Sequence, residues 1–355
     1  MPNLQANDIA DLVAMSLNDL GRLKFTDLMS DYQNTVVLKR LMRKGKQTFD
    51  SGPNVAFNVI TSTNGSARFV GLGAQDIVDI PDVMTTGVVP WRHSTWNWAH
   101  EQREPIMNSG ASKIVDIIKT RRISAFGDGI KLLERAFWRA PPATGAGSDT
   151  EPYGVPYYIV KSNTATTTND GFNGSVPSGY TTVAGLNPTT YIRWRNYATQ
   201  YTAVTKDDLI RKMRRAQTYT DFMPLVEEVP EYNSGNDYGI YTNYAVVGTM
   251  EELLEAQNDN LGKDIASMDG KTLFRGIPIV FVKELDLDTT NPVYGINWGE
   301  FGAMGLRGWW LKETVVGMVA GQHTVGAVHT DCTFNFLCRN RRRNWVLATD
   351  TTLPA

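Results

Sequence analysis

The stretch SKIVDIIKTRRISAFGDGIKLLERAFWRAPP, residues 112–142, decides the fold of this chain. Ser112 can cap a helix, Pro141-Pro142 ends it, and Val115, Ile118, Phe126, Ile130, Leu133 and Phe137 recur at helical spacing between them. The pattern predicts one long helix over 112–140, up to about 40 Å at 1.5 Å per residue. Gly127 and Gly129 are expected to weaken or bend its middle.

On its N-terminal side the chain reads as β structure. VVPWRHSTWNWAHEQREP, residues 88–105, holds three of the nine tryptophans and two of the four histidines, and Thr95, Trp96 and Trp98 favour an extended backbone. Before it, AFNVITSTNGSARFVGL (56–72) sets two β-rich runs on either side of Asn64-Gly65, a dipeptide that reaches positive φ at little steric cost and therefore predicts a hairpin. Residues 46 to 108 are thus mostly β, with few apolar runs long enough to build a core. Earlier still, residues 4–23 and 25 to about 43 read as amphipathic helices, the second running into LKRLMRKGK.

On the C-terminal side, 141–190 is rich in Gly, Thr, Ser, Asn and Pro and reads as a surface loop or insertion around a strand-like VPYYIV. Helices are predicted at TKDDLIRKMRRA, where Thr205 and Asp208 form a capping pair, and at TMEELLEAQ, where Thr249 and Glu252 form a capping box. NYAVVG, GIPIVFVKEL, PVYGIN and GWWLKE read as strands between and after them, so this part is a compact α/β lobe. Residues 314–349 return to strand. The fold class is α+β.

At 355 residues the chain is long enough for more than one core. Charged residues are 20% of the chain and the net charge is −2, which predicts no strong electrostatic steering toward nucleic acid. With 9 Trp, 14 Tyr and 13 Phe, the surface is expected to be neutral and partly aromatic, which suits a subunit covered by neighbours. MPNLQANDIADLV lacks the basic and apolar segments of a signal peptide, and no run of about 18 apolar residues predicts a membrane span. Two cysteines, Cys332 and Cys338, are too few for a disulfide framework and fit folding in a reducing cytoplasm.

Signatures of catalysis fail when checked. There is no Gly-x-Ser-x-Gly and no Gly-x-Gly-x-x-Gly after a strand; Gly270-Lys271-Thr272 resembles the end of a phosphate loop, but Ile265 stands where its first glycine belongs. His323, His329, Cys332 and Cys338 lie close in sequence without the paired spacing of a zinc site. His93, His100, Glu101 and Glu104 have acid–base chemistry but sit on a β excursion without a shielding core. No catalytic residue, cofactor or metal is expected. Trp91, Arg92, Trp96, Trp98 and Arg103 instead form the kind of set enriched where proteins dock, with Asn64 and Gly65 beside them on the excursion. The plainer alternative is that the tryptophans pack on their own hairpin or on the long helix. Arg211, Lys212, Arg214 and Arg215 read as a solvated helix face complementing the dipole, or as a local patch for packaged nucleic acid; the same two readings apply to Arg339 and Arg341–Arg343.

The order of parts, an N-terminal arm, a β excursion, one long helix, a loop-rich region, an α/β lobe and a strand return, resembles the major capsid proteins of tailed double-stranded DNA bacteriophages, whose fold encapsulins share. TTVAGLNPTTYIRWRNYAT (181–199) is similar to that family's glycine turn and Trp-Arg-Asn motif, in Gly185, Trp194, Arg195 and Asn196; GKTLFRGIPIVFVKELD (270–286) is similar to its late strand start, in Leu273, Gly276 and Pro278. The resemblance implies an N-terminal arm at 1–45, an extended loop at 46–110, a peripheral domain at 111–204 with the spine helix at 112–140, an axial domain at 205–315, and a peripheral return and tail at 316–355. It implies a structural subunit, not an enzyme, that self-assembles as pentamers and hexamers into an icosahedral shell around double-stranded DNA, held by non-specific contact. The place is the virion capsid, assembled in the host cytoplasm. Implied partners are further copies of the chain, a separate scaffolding protein or none, a portal and a decoration or cement protein, with no membrane. The aromatic stretch 88–105 then lies on the returning limb of the loop, against a neighbouring subunit. Two rival readings are an encapsulin-like compartment shell and an enzyme with a carbohydrate-binding surface.

Overall fold

A computed structural model describes residues 46–63, 65, 67–73, 82–103, 117–222, 237–255, 272–319 and 322–349. The arm at 1–45, Asn64, Glu104, Ser112, Gly270, Lys271 and the tail beyond 349 lie outside these residues. The chain divides into two compact units, one containing His93–Leu133 and Gly308–Thr333, the other Asn34–Arg92, Glu134–Arg307 and Phe334–Ala355. Among the described residues no helix is long and apolar enough to cross a membrane.

Strands β1 (Lys46–Phe49), β2 (Asn54–Ile60), β3 (Met84–Pro90) and β4 (Arg92–Glu101) precede helix α1 (Ile117–Phe137). The long helix is therefore present, about 31 Å of it, and continuous through both glycines. Gly129 has a specific reason: a Cβ there would sit 2.5 Å from the Trp96 ring, so the indole packs directly on the helix backbone. Nothing lies within 4 Å of a Cβ at Gly127.

The hairpin expected at Asn64-Gly65 is replaced by a longer one. Gly65 does have φ +69°, but no strand follows it among the described residues before Met84, and β2 pairs antiparallel with β3, Ile60 against Met84 through Asn54 against Pro90. Turn chemistry alone cannot hold a hairpin whose second run lacks a partner; β3 pairs with β2 over seven residue pairs, and Gly87 leaves room for the Phe57 ring, which a Cβ there would meet at 2.5 Å. A tight two-residue hairpin lies elsewhere. β7 (Leu273–Phe274) and β8 (Ile277–Phe281) are joined by Arg275 and Gly276, both at positive φ, 50° and 79°.

The second unit contains a six-stranded mixed sheet ordered β5 (Tyr197–Gln200), β13 (Trp345–Ala348), β9 (Val293–Asn297), β6 (Tyr238–Thr242), β8, β7. It is parallel at β5–β13 and β6–β8 and antiparallel at the other pairings. Its strands come from the segments 111–204, 205–315 and 316–355. Helices α3 (Arg211–Thr220) and α4 (Tyr244–Glu255) supply Met213, Ala216, Val246 and Met250 to its core, where they join Tyr197, Ile240 and Trp345. β10 (Phe301–Leu306) pairs parallel with β1 and antiparallel with the end of β12 (Gln322–Cys338). In the first unit the earlier part of β12 pairs antiparallel with β11 (Lys312–Val319), and β4 also pairs with β12, Gln102 N donating to Thr324 O at 2.9 Å.

Three local readings are corrected. VPYYIV is a short helix, α2 (Val155–Tyr158), because Gly154 and Pro156 form a helix start and Val155, Tyr157 and Tyr158 are buried. NYAVVG opens α4: Asn243 Oδ1 accepts from Val246 N at 3.3 Å, so Asn243 is the cap, and Thr249 sits mid-helix with its hydroxyl on Ala245 O at 2.7 Å. GWWLKE is a turn until Lys312 begins β11. The residues 141–190 are packed more closely than a surface loop, with Phe172 and Val183 buried. The aromatics are divided between core and surface: Trp345, Tyr158, Tyr197, Tyr201, Tyr241, Tyr294, Phe137, Phe301 and Phe334 are fully buried, while Phe69, Tyr219, Tyr244 and Trp309 are exposed.

Candidate assembly surface

The hairpin β2–β3 has an inner and an outer face because side chains alternate along each strand. On the inner face Phe57 meets Trp194 with ring centroids 6.0 Å apart, and Thr85 Oγ1 donates to Tyr191 Oη at 3.3 Å. Val88 N donates to the Ala184 carbonyl at 2.9 Å, and Ala184 is itself held at φ +52° beside Gly185. On the outer face, Ile60, Met84 and Val88 are exposed around a hydrogen bond from Thr86 Oγ1 to Asn58 Oδ1 at 3.0 Å. Past the end of β2, Phe69 and Leu72 have relative exposures of 108 and 110%, with Val70 at 61% between them. Sequence reasoning passed over these residues in favour of the tryptophans. The available signal was an apolar run, ARFVGL, behind a turn and without a matched partner strand.

The tryptophan-rich stretch is engaged within the chain. Trp91 Nε1 donates to Gly52 O at 2.9 Å and its ring meets Phe49 edge-on. Arg92 is buried, with its guanidinium on the carbonyls of Ser148 and Asp149 and 5.5 Å from the Tyr153 ring centre. Along β4 the exposed positions are His93, Thr95, Asn97 and Ala99, while Ser94, Trp96, Trp98 and His100 occupy the half-buried face. Trp96 packs on Gly129 and meets Phe126 edge-on at 6.2 Å; Trp98 lies against His100 at 5.6 Å. The indole N–H groups of both tryptophans have no hydrogen-bond partner among the described residues. Arg103 is exposed, 3.9 Å from Glu101, and His93 Nδ1 lies 2.9 Å from Thr333 Oγ1. The structure therefore brings Trp96 and Trp98 to one face of β4.

Of the basic candidates, Arg211 and Arg214 are exposed. Lys212 is paired with Asp208. Burial raises the Asp208 carboxyl, but hydrogen bonds from Lys212 and from the Thr202 and Ala203 amides outweigh it and hold the pKa down to about 2. Arg215 lies over the Tyr219 ring at 5.1 Å. The last turn of α3 carries no basic residue, so these charges do not complement the helix dipole as the sequence suggested.

Arg341 and Arg343 cannot meet nucleic acid, because both are buried. Arg341 donates to the carbonyls of Tyr158 at 2.6 Å, Trp194 at 2.8 Å and Ser175 at 2.7 Å, and to Asn196 Oδ1 at 3.2 Å. Burial lowers its pKa to about 10, and it stays charged at neutral pH. Arg343 pairs with Glu300 at 2.7 Å. The Trp-Arg-Asn motif is part of the same scaffold: Asn196 Oδ1 accepts from Val160 N, its Nδ2 donates to Val160 O, both at 3.0 Å, and Trp194 Nε1 donates to Val183 O. Cys338 is a buried free thiol whose pKa burial raises.

This arrangement is the fold of phage capsid proteins and of encapsulin shells. The capsid asymmetric unit of cyanophage A-1(L) matches at TM-score 0.62 and 13% identity, over 96% of this chain and 99% of that one. A chain of Microbacterium phage Oxtober96 matches at 0.54 and 10%, over 99 and 100%. The holo-SrpI encapsulin complex of Synechococcus elongatus matches at 0.52 and 8%, over 100 and 98%. No protein-family profile matches the sequence, and no curated protein is significantly similar to it.

Proposed function

We propose that the chain is a structural shell subunit: copies assemble as pentamers and hexamers into an icosahedral capsid of a tailed phage, around double-stranded DNA. The observation that carries this is the β2–β3 excursion, on which Phe69 and Leu72 are fully exposed. A soluble monomer gains nothing by presenting such residues at the end of a hairpin, whereas a neighbouring copy can bury them. The likeness over nearly the full length of known capsid subunits supports the same reading. A portal, a scaffolding protein and a decoration protein are the further partners it implies. An encapsulin-like compartment is the second reading, supported by the match to an encapsulin over 100% of this chain.

The test is negative-stain electron microscopy of the chain expressed alone and beside its genomic neighbours, with size-exclusion profiles. Closed shells are expected; a chain that stays monomeric in both settings overturns the proposal. Shells carrying an enzyme in place of DNA decide for the compartment.

A further inference from the structure

One side of the second unit carries arginines linked through aromatic rings. Arg342 lies over the Phe172 ring at 3.8 Å, Phe172 meets Tyr197 at 5.6 Å, Tyr197 meets Tyr219 at 6.3 Å, and Arg215 covers Tyr219. Arg211, Arg214, Arg215 and Thr218 share one face of α3, since they fall within about a third of a helical turn. Onto that face reaches Arg275 from the β7–β8 turn, its Nη1 donating to Thr218 Oγ1 at 3.2 Å. Burial lowers the pKa of Arg342, and the nearby Arg193 lowers it further, as expected where cations crowd; Asp170 opposes them.

Carboxylates answer surface arginines elsewhere: Arg122 has Glu313, Arg135 has Glu284 and Arg307 has Asp50. Arg211, Arg214 and Arg275, all exposed, have no carboxylate partner among the described residues, and of Asp207 and Asp208 in the turn before α3, Asp208 is taken by Lys212. Neither a helix dipole nor an ion pair explains the band. Guanidinium groups in a row beside a Tyr219 ring that is 41% exposed have the composition of a phosphate-binding track with a stacking platform.

We propose that this band, Arg211, Arg214, Arg215 and Arg275 with Tyr219, is a contact surface for the phosphodiester backbone of nucleic acid, held by charge without reading the bases. It deepens the shell reading, in which that polymer is the shell's content. It also shows how a chain of net charge −2 can hold a polyanion, through one local track.

The test uses the unassembled full-length chain from size exclusion and a labelled 20-base-pair duplex, with fluorescence polarisation from 50 to 200 mM salt. Wild type is expected to bind with a salt slope that reports several phosphate contacts, at about 0.9 per contact. The Arg211→Glu/Arg214→Glu/Arg275→Glu variant should bind at least tenfold more weakly with a shallower slope, while Arg122→Glu/Arg307→Glu, outside the band, binds as wild type. A single-stranded RNA of equal length tests whether the backbone alone suffices. Equal binding by the two variants, no wild-type binding at 50 mM salt, or equal competition by poly-glutamate overturns the proposal. Circular dichroism confirms that each variant is folded, and microscopy of the same preparations separates the two ideas. Shells without nucleic-acid binding sink the band alone, and binding without shells supports the band while sinking the shell.

Discussion

A single methyl group distinguishes the two glycines of α1. On helix propensity alone, replacing either with alanine stabilises by up to about 1 kcal/mol. Gly127→Ala meets open space and should do so; Gly129→Ala drives its Cβ to 2.5 Å from the Trp96 ring and should destabilise by about 1–3 kcal/mol. Urea unfolding of the pair, read against wild type, checks both signs, and a stabilising Gly129→Ala would show that Trp96 does not rest on the helix. The same contact changes what is expected of Trp96→Ala. From the sequence, this substitution is expected to leave the subunit folded and impair assembly; an indole packed on its own helix means that it weakens the subunit first. Arg341 illustrates a residue whose meaning burial reverses: within an exposed-looking Arg-Arg-Arg run, it is the group that ties Tyr158, Ser175, Trp194 and Asn196 together.

At the scale of elements, the start of the helix at 206–220 is the most legible local feature. Thr205 Oγ1 accepts from Asp208 N at 3.2 Å, as the capping pattern predicts, and Asp208 in turn accepts from Thr202 N at 2.6 Å and Ala203 N at 2.9 Å. Its folded pKa of about 2 lies below the unfolded 3.8, so the stabilisation is complete above pH 4 and disappears as pH falls toward 2. Asp208→Asn, with solvent screening taken off the full shift, should therefore cost about 1 kcal/mol at pH 7, and its stability should converge on that of wild type in acid. Guanidinium unfolding across pH 2–7 measures the gap; a constant gap would mean that the carboxylate's charge is not what stabilises the turn. Elements with a local cause, such as α1, this cap and the strands β8 and β9, could be read from the sequence. Elements decided by distant partners could not. Asn64-Gly65 has ideal turn chemistry, yet β2 pairs with a strand beginning at Met84, while Arg275-Gly276 makes the tight turn with only its glycine to announce it. NYAVVG has β-branched valines but begins a helix because Asn243 caps it and the sheet beneath takes Val246 and Met250. The candidate surface was less legible still. Trp and Arg density marks buried packing as readily as docking, and β4 uses Trp96 for the first.

At the scale of the molecule, folding and assembly make separable demands on the excursion. Its inner face is held to the chain's own body at Trp194, Tyr191 and Ala184, so the hairpin belongs to the folded subunit. Phe69 and Leu72 contribute nothing to that attachment, being fully exposed. Burying each against a neighbour is worth about 1.5–3 kcal/mol, and an icosahedral shell repeats the contact at every subunit. A charge placed there must be desolvated at each repeat. Phe69→Asp/Leu72→Asp should accordingly unfold within a few degrees of wild type, yet form no closed shells under conditions where wild type does, eluting as single subunits or small oligomers. Phe57→Ala, on the inner face, should instead lower the unfolding temperature of the subunit itself. If the double aspartate variant still closes shells of normal yield, the apolar end of the hairpin is not an assembly contact, and the cause of its exposure has to be sought in some other partner.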